Sequence, residues 1–298
     1  MRPFVDRPIT DIGAASDLAV QAAAHWELPQ PVLLRVGMNA IYRSGDVVLR
    51  VSEPSAPASA SLQLAGRLLE AGLRVTRPVR TDTFGEAGLY ATAWEYIEST
   101  DEPIDWRAVG AMVRTVHCLD KDDLPSDYPL PRPADFPWWD FDALLAQIGD
   151  ELDDDARRGI EQAVGRWPDW AHEAGAVVCH GDVHPGNVIM GSDGPILIDW
   201  DLMCLAPPGW DHAPLMTLAE RWGGEPGGIR GVCRWIWIIA PFPAVRRSVR
   251  RTSIGRCHVD ASPRRYAQRG CDARSSASTL LLARRIGSAG VASAVASG

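Results

Sequence analysis

A chain of 298 residues, 46% of them hydrophobic, is long enough for two lobes with cores of their own, and Met1 to Asp11 carry no apolar segment of the secretory kind, so a cytoplasmic protein is expected. The longest apolar run, Trp235 to Val245, is broken by Pro241 and Pro243 and falls short of a membrane span. Six cysteines (Cys118, Cys179, Cys204, Cys233, Cys257 and Cys271) contain no Cys-x-x-Cys pair, which argues for reduced thiols over a disulfide frame or a zinc ribbon.

In chain order, Val32 to Val36, Ala40 to Arg43 and Val47 to Val51 are short apolar or alternating runs. Gly37-Met38-Asn39 and Ser44-Gly45-Asp46 separate them as turns, and an antiparallel meander is predicted. Within the third run Val48 and Arg50 share one strand face, and Leu49 and Val51 the other. Ser55 to Ala71 has a helical stripe in Leu62, Leu64, Ala65, Leu68 and Leu69, with Gly72 as a stop. Arg77-Pro78-Val79 and Leu89 to Ile97 read as further strands.

From Asp105 the chain turns helical. Trp106, Val109, Met112, Val113 and Val116 form the apolar stripe of a helix over Asp105 to Leu119. A Pro- and Asp-rich loop to Phe136 precedes Trp138 and Trp139, for which packing is the expected role, and two helices follow, from about Asp140 and from Asp153 to about Ala174. Gly175 to Cys179 is a short apolar strand. It leads into His180-Gly181-Asp182-Val183-His184-Pro185-Gly186-Asn187. Val188 to Met190, a turn at Gly191 to Gly194, and Pro195 to Ile198 then form a hairpin that returns Asp199 beside Asn187.

An aspartate, an asparagine five positions on and a second aspartate twelve beyond that are what phosphoryl transfer asks of a protein. The transition state is loose, so catalysis is positioning of the acceptor hydroxyl and neutralisation of phosphate charge. Asp182 is placed to accept the hydroxyl proton, while Asn187 and Asp199 supply the oxygen ligands that Mg²⁺ prefers.

The His180–Asn187 run together with Asp199 resembles the catalytic loop and metal-binding aspartate of the aminoglycoside phosphotransferase family, which is similar in fold to protein kinases. The resemblance implies an α+β, two-lobe fold with a small antiparallel-sheet N-lobe and a mainly helical C-lobe. It divides the chain into an N-lobe over residues 1–97, a C-lobe with catalytic loop and Mg²⁺ site over 98–228, and an atypical tail over 229–298 that leaves the C-lobe incomplete. Asp182 is then the catalytic base, Asn187 and Asp199 the Mg²⁺ ligands, and Asp211 the acid that braces the catalytic loop, alongside its plain reading as the N-cap of a helix to about Arg221. The Gly37 to Asn39 turn would cover the phosphates of ATP, with GTP as the other donor. Main-chain groups of Glu95 and Ile97, in Trp94-Glu95-Tyr96-Ile97, would hold adenine.

One departure bears on nucleotide binding. The only lysine, Lys121, lies in an acidic loop, so Arg50 is the cation left to grip phosphate. Residues 55–69 hold no acid to orient it, which leaves Gln63, Ser61 or Glu53.

Rival readings are a metal-dependent hydrolase using His180, Asp182 and His184, a choline- or homoserine-type metabolite kinase, and an inactive nucleotide-binding remnant. Residues 1–221 contain 17 Lys and Arg against 35 Asp and Glu, a net of −18, which suits a cationic hydroxyl-bearing small molecule as acceptor. Residues 222–298 contain 13 Arg against Glu225, Asp260 and Asp272, a net of +10. That lysine-free, Arg/Ser/Ala/Gly-rich tail does not resemble the family's closing helices, and an out-of-frame translation is the expectation, with neither membrane nor nucleic acid as partner.

Overall fold

The structure is a computed structural model describing residues 1–86, 88–148, 151–165 and 175–216. Its N-terminal part is built on a sheet of strands β1 (Val32–Val36), β2 (Ala40–Ser44), β3 (Val47–Ser52), β4 (Phe84–Glu86) and β5 (Leu89–Glu95), ordered β1-β2-β3-β5-β4 and antiparallel throughout. Gly45 turns β2 into β3 with φ 63°, a conformation that a side chain disfavours. The register sets Arg50 opposite Ile41 on one side and Thr92 on the other, so Arg50 rises from the centre of the sheet.

Strand alternation then assigns the two faces. Leu49 and Val51 join Ala40, Tyr42, Ala91 and Ala93 under helix α1 (Ile12–His25), which buries Ala15, Leu18, Ala19, Ala22 and Ala23. Asp11 caps α1 by accepting from the Ala14 N–H at 2.9 Å. On the opposite face Val48 packs with Trp94 against Leu62 and Ala65 of helix α2 (Ser59–Glu70).

Two local expectations need correction, and one helix has no counterpart in the sequence pattern. Helix α1 was not foreseen, because its buried stripe is mostly alanine and carries little apolar contrast. Arg77 to Val79 is no strand: Pro78 forms only an isolated bridge with Trp94, because the Arg77 N–H that would extend the ladder donates to the Glu95 carboxylate at 2.9 Å instead. The predicted helix over Ser55 to Ala71 starts at Ser59, after Pro54 and Pro57.

The second part is helical, with short strands around the His180–Asn187 loop. Helix α3 (Trp106–His117) is capped by Asp105, which accepts from the Arg107 and Ala108 N–H groups at 3.0 Å each. Its Val109, Met112, Val113 and Val116 join Leu64 and Leu68 of α2 and Val178, Val183, Val188, Leu197, Met203 and Leu215 in one core. Each such side chain withdrawn from water contributes about 1.5–3 kcal/mol, and together they hold the loops around Asp182 and Asp199 on a fixed base. Helices α4 (Phe141–Ile148) and α5 (Asp154–Val164) pack outside, where Trp138 stacks on Phe136 at 5.2 Å between ring centroids.

Strands β6 (Val177–Cys179) and β9 (Cys204–Ala206) pair antiparallel, as do β7 (Val188–Gly191) and β8 (Gly194–Leu197). Among the described residues no helix is long and apolar enough to cross a membrane. The end of the helix expected to reach Ala174, the one expected to reach Arg221, and the 229–298 tail lie outside the described residues.

Candidate active site

The loop after β6 is held by a buried acid from far along the chain. Asp211 is 0% exposed, and its carboxylate accepts from the His180 N–H at 3.0 Å, from the Gly181 N–H at 2.7 Å and from His117 Nε2 at 2.9 Å. Burial pushes the Asp211 carboxyl up, but the hydrogen bond and charge of His117, with those from the loop, hold it below the usual carboxylate range. Among the described residues its carboxylate serves this loop and caps no helix.

Gly181 adopts φ 89°, and a Cβ there would overlap the carbonyl oxygen of Leu202. Glycine thus lets the loop lie directly against the 199–203 segment. The buried His180 is committed on both ring nitrogens, Nε2 to the Ile198 carbonyl at 3.0 Å and Nδ1 to the Asp182 N–H at 3.3 Å. Its ring also sits 4.5 Å from that of Trp200.

Asp182 and Asn187 face each other across one turn. The Asn187 amide donates to the Asp182 carbonyl at 2.9 Å and to its carboxylate at 3.3 Å, leaving the side-chain oxygen as the atom open to a cation. His184 Nε2 lies 3.4 Å from the Asp182 carboxylate. The β7–β8 hairpin returns the chain, and the Ile198 N–H closes it on the Asn187 carbonyl at 3.0 Å. Asp199 follows in the left-handed region, φ 65° and ψ 69°, which few residues with a side chain adopt. The carboxyl of Asp199 is pushed up to about 6, first by burial and then by Asp201 and Asp182, against the opposing charges of Arg50 and Arg35. Asp182 and Asp199 are close enough to feel each other's charge, and with the Asn187 amide oxygen they are hard oxygen donors of the kind that suits a divalent cation such as Mg²⁺.

The segment behind Asp199 is pinned from three directions. The Phe4 N–H donates to the Asp201 carbonyl at 3.2 Å, Tyr128 Oη to the Trp200 carbonyl at 2.8 Å, and Phe4 and Tyr128 stack at 4.8 Å. Asp201 is buried, and its side chain accepts from Asn39 Nδ2 at 3.1 Å and pairs with the Arg50 guanidinium.

A hydrolase-type metal cluster does not form at His180, Asp182 and His184, because both His180 nitrogens are spent on backbone groups and His184 Nδ1 accepts from the Gly186 N–H at 3.0 Å. Among the described residues the His, Cys and acid group that converges is His117, Cys179 and Asp211. There Asp211 is saturated by the loop and burial drives the Cys179 thiol pKa well up, away from the thiolate a metal needs.

Residues 39–231, more than half of the chain, match the profile described as the phosphotransferase enzyme family. The chain belongs to the phosphotransferase enzyme family. Solved structures agree in fold, protein-kinase-like with two lobes. Aminoglycoside phosphotransferase APH(3'')-Id from Streptomyces rimosus is 18% identical over 78% of this chain and 94% of its own, with a TM-score of 0.56. The GDP complex of aminoglycoside 2'-phosphotransferase-IIIa is 13% identical over 76% of this chain and 83% of its own, at 0.57. Spectinomycin phosphotransferase APH(9)-Ia, in complex with ADP and spectinomycin, is 14% identical over 72% and 76%, at 0.55. No curated protein sequence matches the chain. The family match ends at residue 231, close to where the atypical composition begins.

In this phosphotransferase the remaining predicted positions fall as follows. Gly37 sits in an open turn whose N–H donates to the Asn39 carbonyl at 2.9 Å, with nothing within 4 Å of where a Cβ would be. Glu95 is tied to Arg77, its N–H to the Arg77 carbonyl and its carboxylate to the Arg77 N–H, both at 2.9 Å. Among the described residues the Ile97 backbone makes no hydrogen bond, so its N–H and C=O are open to a ligand. The expected orienters of Arg50 are replaced: Ser61 donates to the Ala58 carbonyl at 2.7 Å, Glu53 meets Arg7 at 3.4 Å, Gln63 is exposed, and Asp201 takes the guanidinium. Sequence reasoning gave no role to Asp201, His117 or Arg35. Their partners are far along the chain, and only the doublet Asp199-x-Asp201 carried a local signal.

Proposed function

We propose that this phosphotransferase moves the γ-phosphoryl group of ATP to a hydroxyl of a cationic small molecule, an aminoglycoside-like compound or another amino alcohol. The observation that carries the reading is the convergence of Asp182, Asn187 and Asp199 through the amide contacts of Asn187 and the closure of the hairpin. Asp182 would orient the acceptor hydroxyl and take its proton as the oxygen–phosphorus bond forms and the bond from the γ-phosphorus to the β–γ bridging oxygen breaks, releasing ADP. Asn187 and Asp199 would hold Mg²⁺, which when bound neutralises the phosphate oxygens. Arg50 would bind phosphate, the turn at Gly37 and Asn39 would lie over it, and the Glu95 carbonyl and the Ile97 backbone would hold adenine. The net −18 of residues 1–221 supports a cationic acceptor by attraction that salt screens.

Thermal unfolding with and without Mg-ATP tests this. The wild type should gain melting temperature in the presence of both Mg²⁺ and ATP, Asp199→Ala should lose the gain, and Asp182→Asn should keep it while phosphorylating no acceptor alcohol. An equal shift in wild type and Asp199→Ala would refute the metal assignment, and binding without turnover in the wild type would favour an inactive remnant.

A further inference from the structure

Phosphate-binding cations need an anion to hold them, and in this chain the neighbouring helix supplies none. Before its last residue α2 contains no acid, and that residue, Glu70, pairs with Arg67 at 2.9 Å. Arg50 nevertheless has a partner 151 residues away, Asp201, buried two positions beyond Asp199. The same Asp201 oxygen accepts from Asn39 at the start of β2, so one carboxylate gathers two side chains of the sheet onto the loop that carries Asp199.

The remaining atoms of the pair are placed for a ligand. A guanidinium offers five N–H donors in a fixed fork. Asp201 engages Nη2, and among the described residues Nε and Nη1 of Arg50 donate to no protein group. The Arg50 side chain is 16% exposed, so part of that fork opens outward. Asn39 Oδ1 is buried and lacks a hydrogen-bond partner among the described residues. Oδ2 of Asp201 is shared by Arg50 and Asn39, and through that oxygen the carboxylate acts on both.

We infer that Asp201 is a positioning residue that fixes Arg50, and with it Asn39, for the β- and γ-phosphates of the nucleotide, a task which falls here to the metal-site loop because the helix beside the sheet has no acid. This rests on the nucleotide-dependent reading above. A consequence is that the cation and the Asp199 loop are set as one unit, so movement of α2 alone does not release Arg50.

Calorimetric titration of ATP and of AMP into wild type, Asp201→Asn, Arg50→Ala and the double variant, each over a Mg²⁺ series, tests the inference. Asp201→Asn should weaken ATP about tenfold to a hundredfold, the range of a charge-assisted phosphate contact, and leave AMP, which lacks those phosphates, within about twofold. The double variant should bind ATP no worse than Arg50→Ala, and the Mg²⁺ concentration at half-saturation should not move. Additive losses, or a raised Mg²⁺ requirement in the Arg50→Ala background, would make Asp201 a metal ligand and overturn the inference. Equal losses of ATP and AMP would reduce it to a structural role. If Asp201→Asn does not fold, Asp201→Glu, which displaces the same charge by one methylene, should show the same loss confined to ATP. A wild type that binds neither ATP nor GTP would overturn the nucleotide reading itself, and the wild-type titration alone identifies that case.

Discussion

Replacing Asp211 by Asn tests how the His180–Asn187 loop is held. The carboxylate is fully buried and receives three donors, the Gly181 N–H on one oxygen and the His180 N–H and His117 on the other. An asparagine oxygen retains the Gly181 bond, but its NH₂ then faces the His180 N–H, donor against donor. His117 recovers part of the loss by switching tautomer so that Nε2 accepts from the new amide. With each hydrogen bond to a charged group contributing about 1.5–3 kcal/mol, and an unpaired buried donor left behind, the expected destabilisation is about 3–5 kcal/mol. That is a large share of a total of about 5–15 kcal/mol. Urea unfolding at neutral pH measures it, and hydrogen exchange should show the His180 and Gly181 amides losing protection before the β6–β9 pair does. A loss below about 1 kcal/mol, or unchanged protection of those two amides, would refute the argument that this carboxylate holds the loop.

Gly181→Ala should cost more than about 2 kcal/mol, because the left-handed backbone and the Leu202 carbonyl both exclude a Cβ, and it should abolish any nucleotide-dependent gain in melting temperature by pushing the Asp199 segment away. Gly37→Ala, in open space, should stay within about 0.5 kcal/mol, and equal effects of the two substitutions in unfolding experiments would contradict the geometry. The buried His212 is pushed down to about 4, first by burial and then by the neighbouring His117, with Asp211 opposing. A depressed histidine lends stability that is fully present above its unfolded value near 6.5 and is lost as the pH falls toward 4, here about 3 kcal/mol. Melting temperature should therefore drop across that window, less steeply in His212→Gln. Superimposable pH profiles for the two proteins would show that His212 does not drive the drop.

The sequence by itself determined what is local. Alternation in Val47 to Val51 was enough to divide the faces of β3, and the runs Val188 to Met190 and Pro195 to Ile198 about the Gly191–Gly194 turn were enough to predict the hairpin that follows Asn187 and leads to Asp199, because it is one short contiguous piece of chain. The helix α1 escaped that reading, since Ala15, Ala19, Ala22 and Ala23 offer the right period with little apolar contrast. What only the tertiary structure decided is which charges meet. Arg50 finds Asp201 across 151 positions and His117 finds Asp211 across 94. Periodicity fixes the face a side chain occupies, whereas the partner of a buried charge depends on which distant segments the apolar core brings together, and desolvation then makes that partner indispensable.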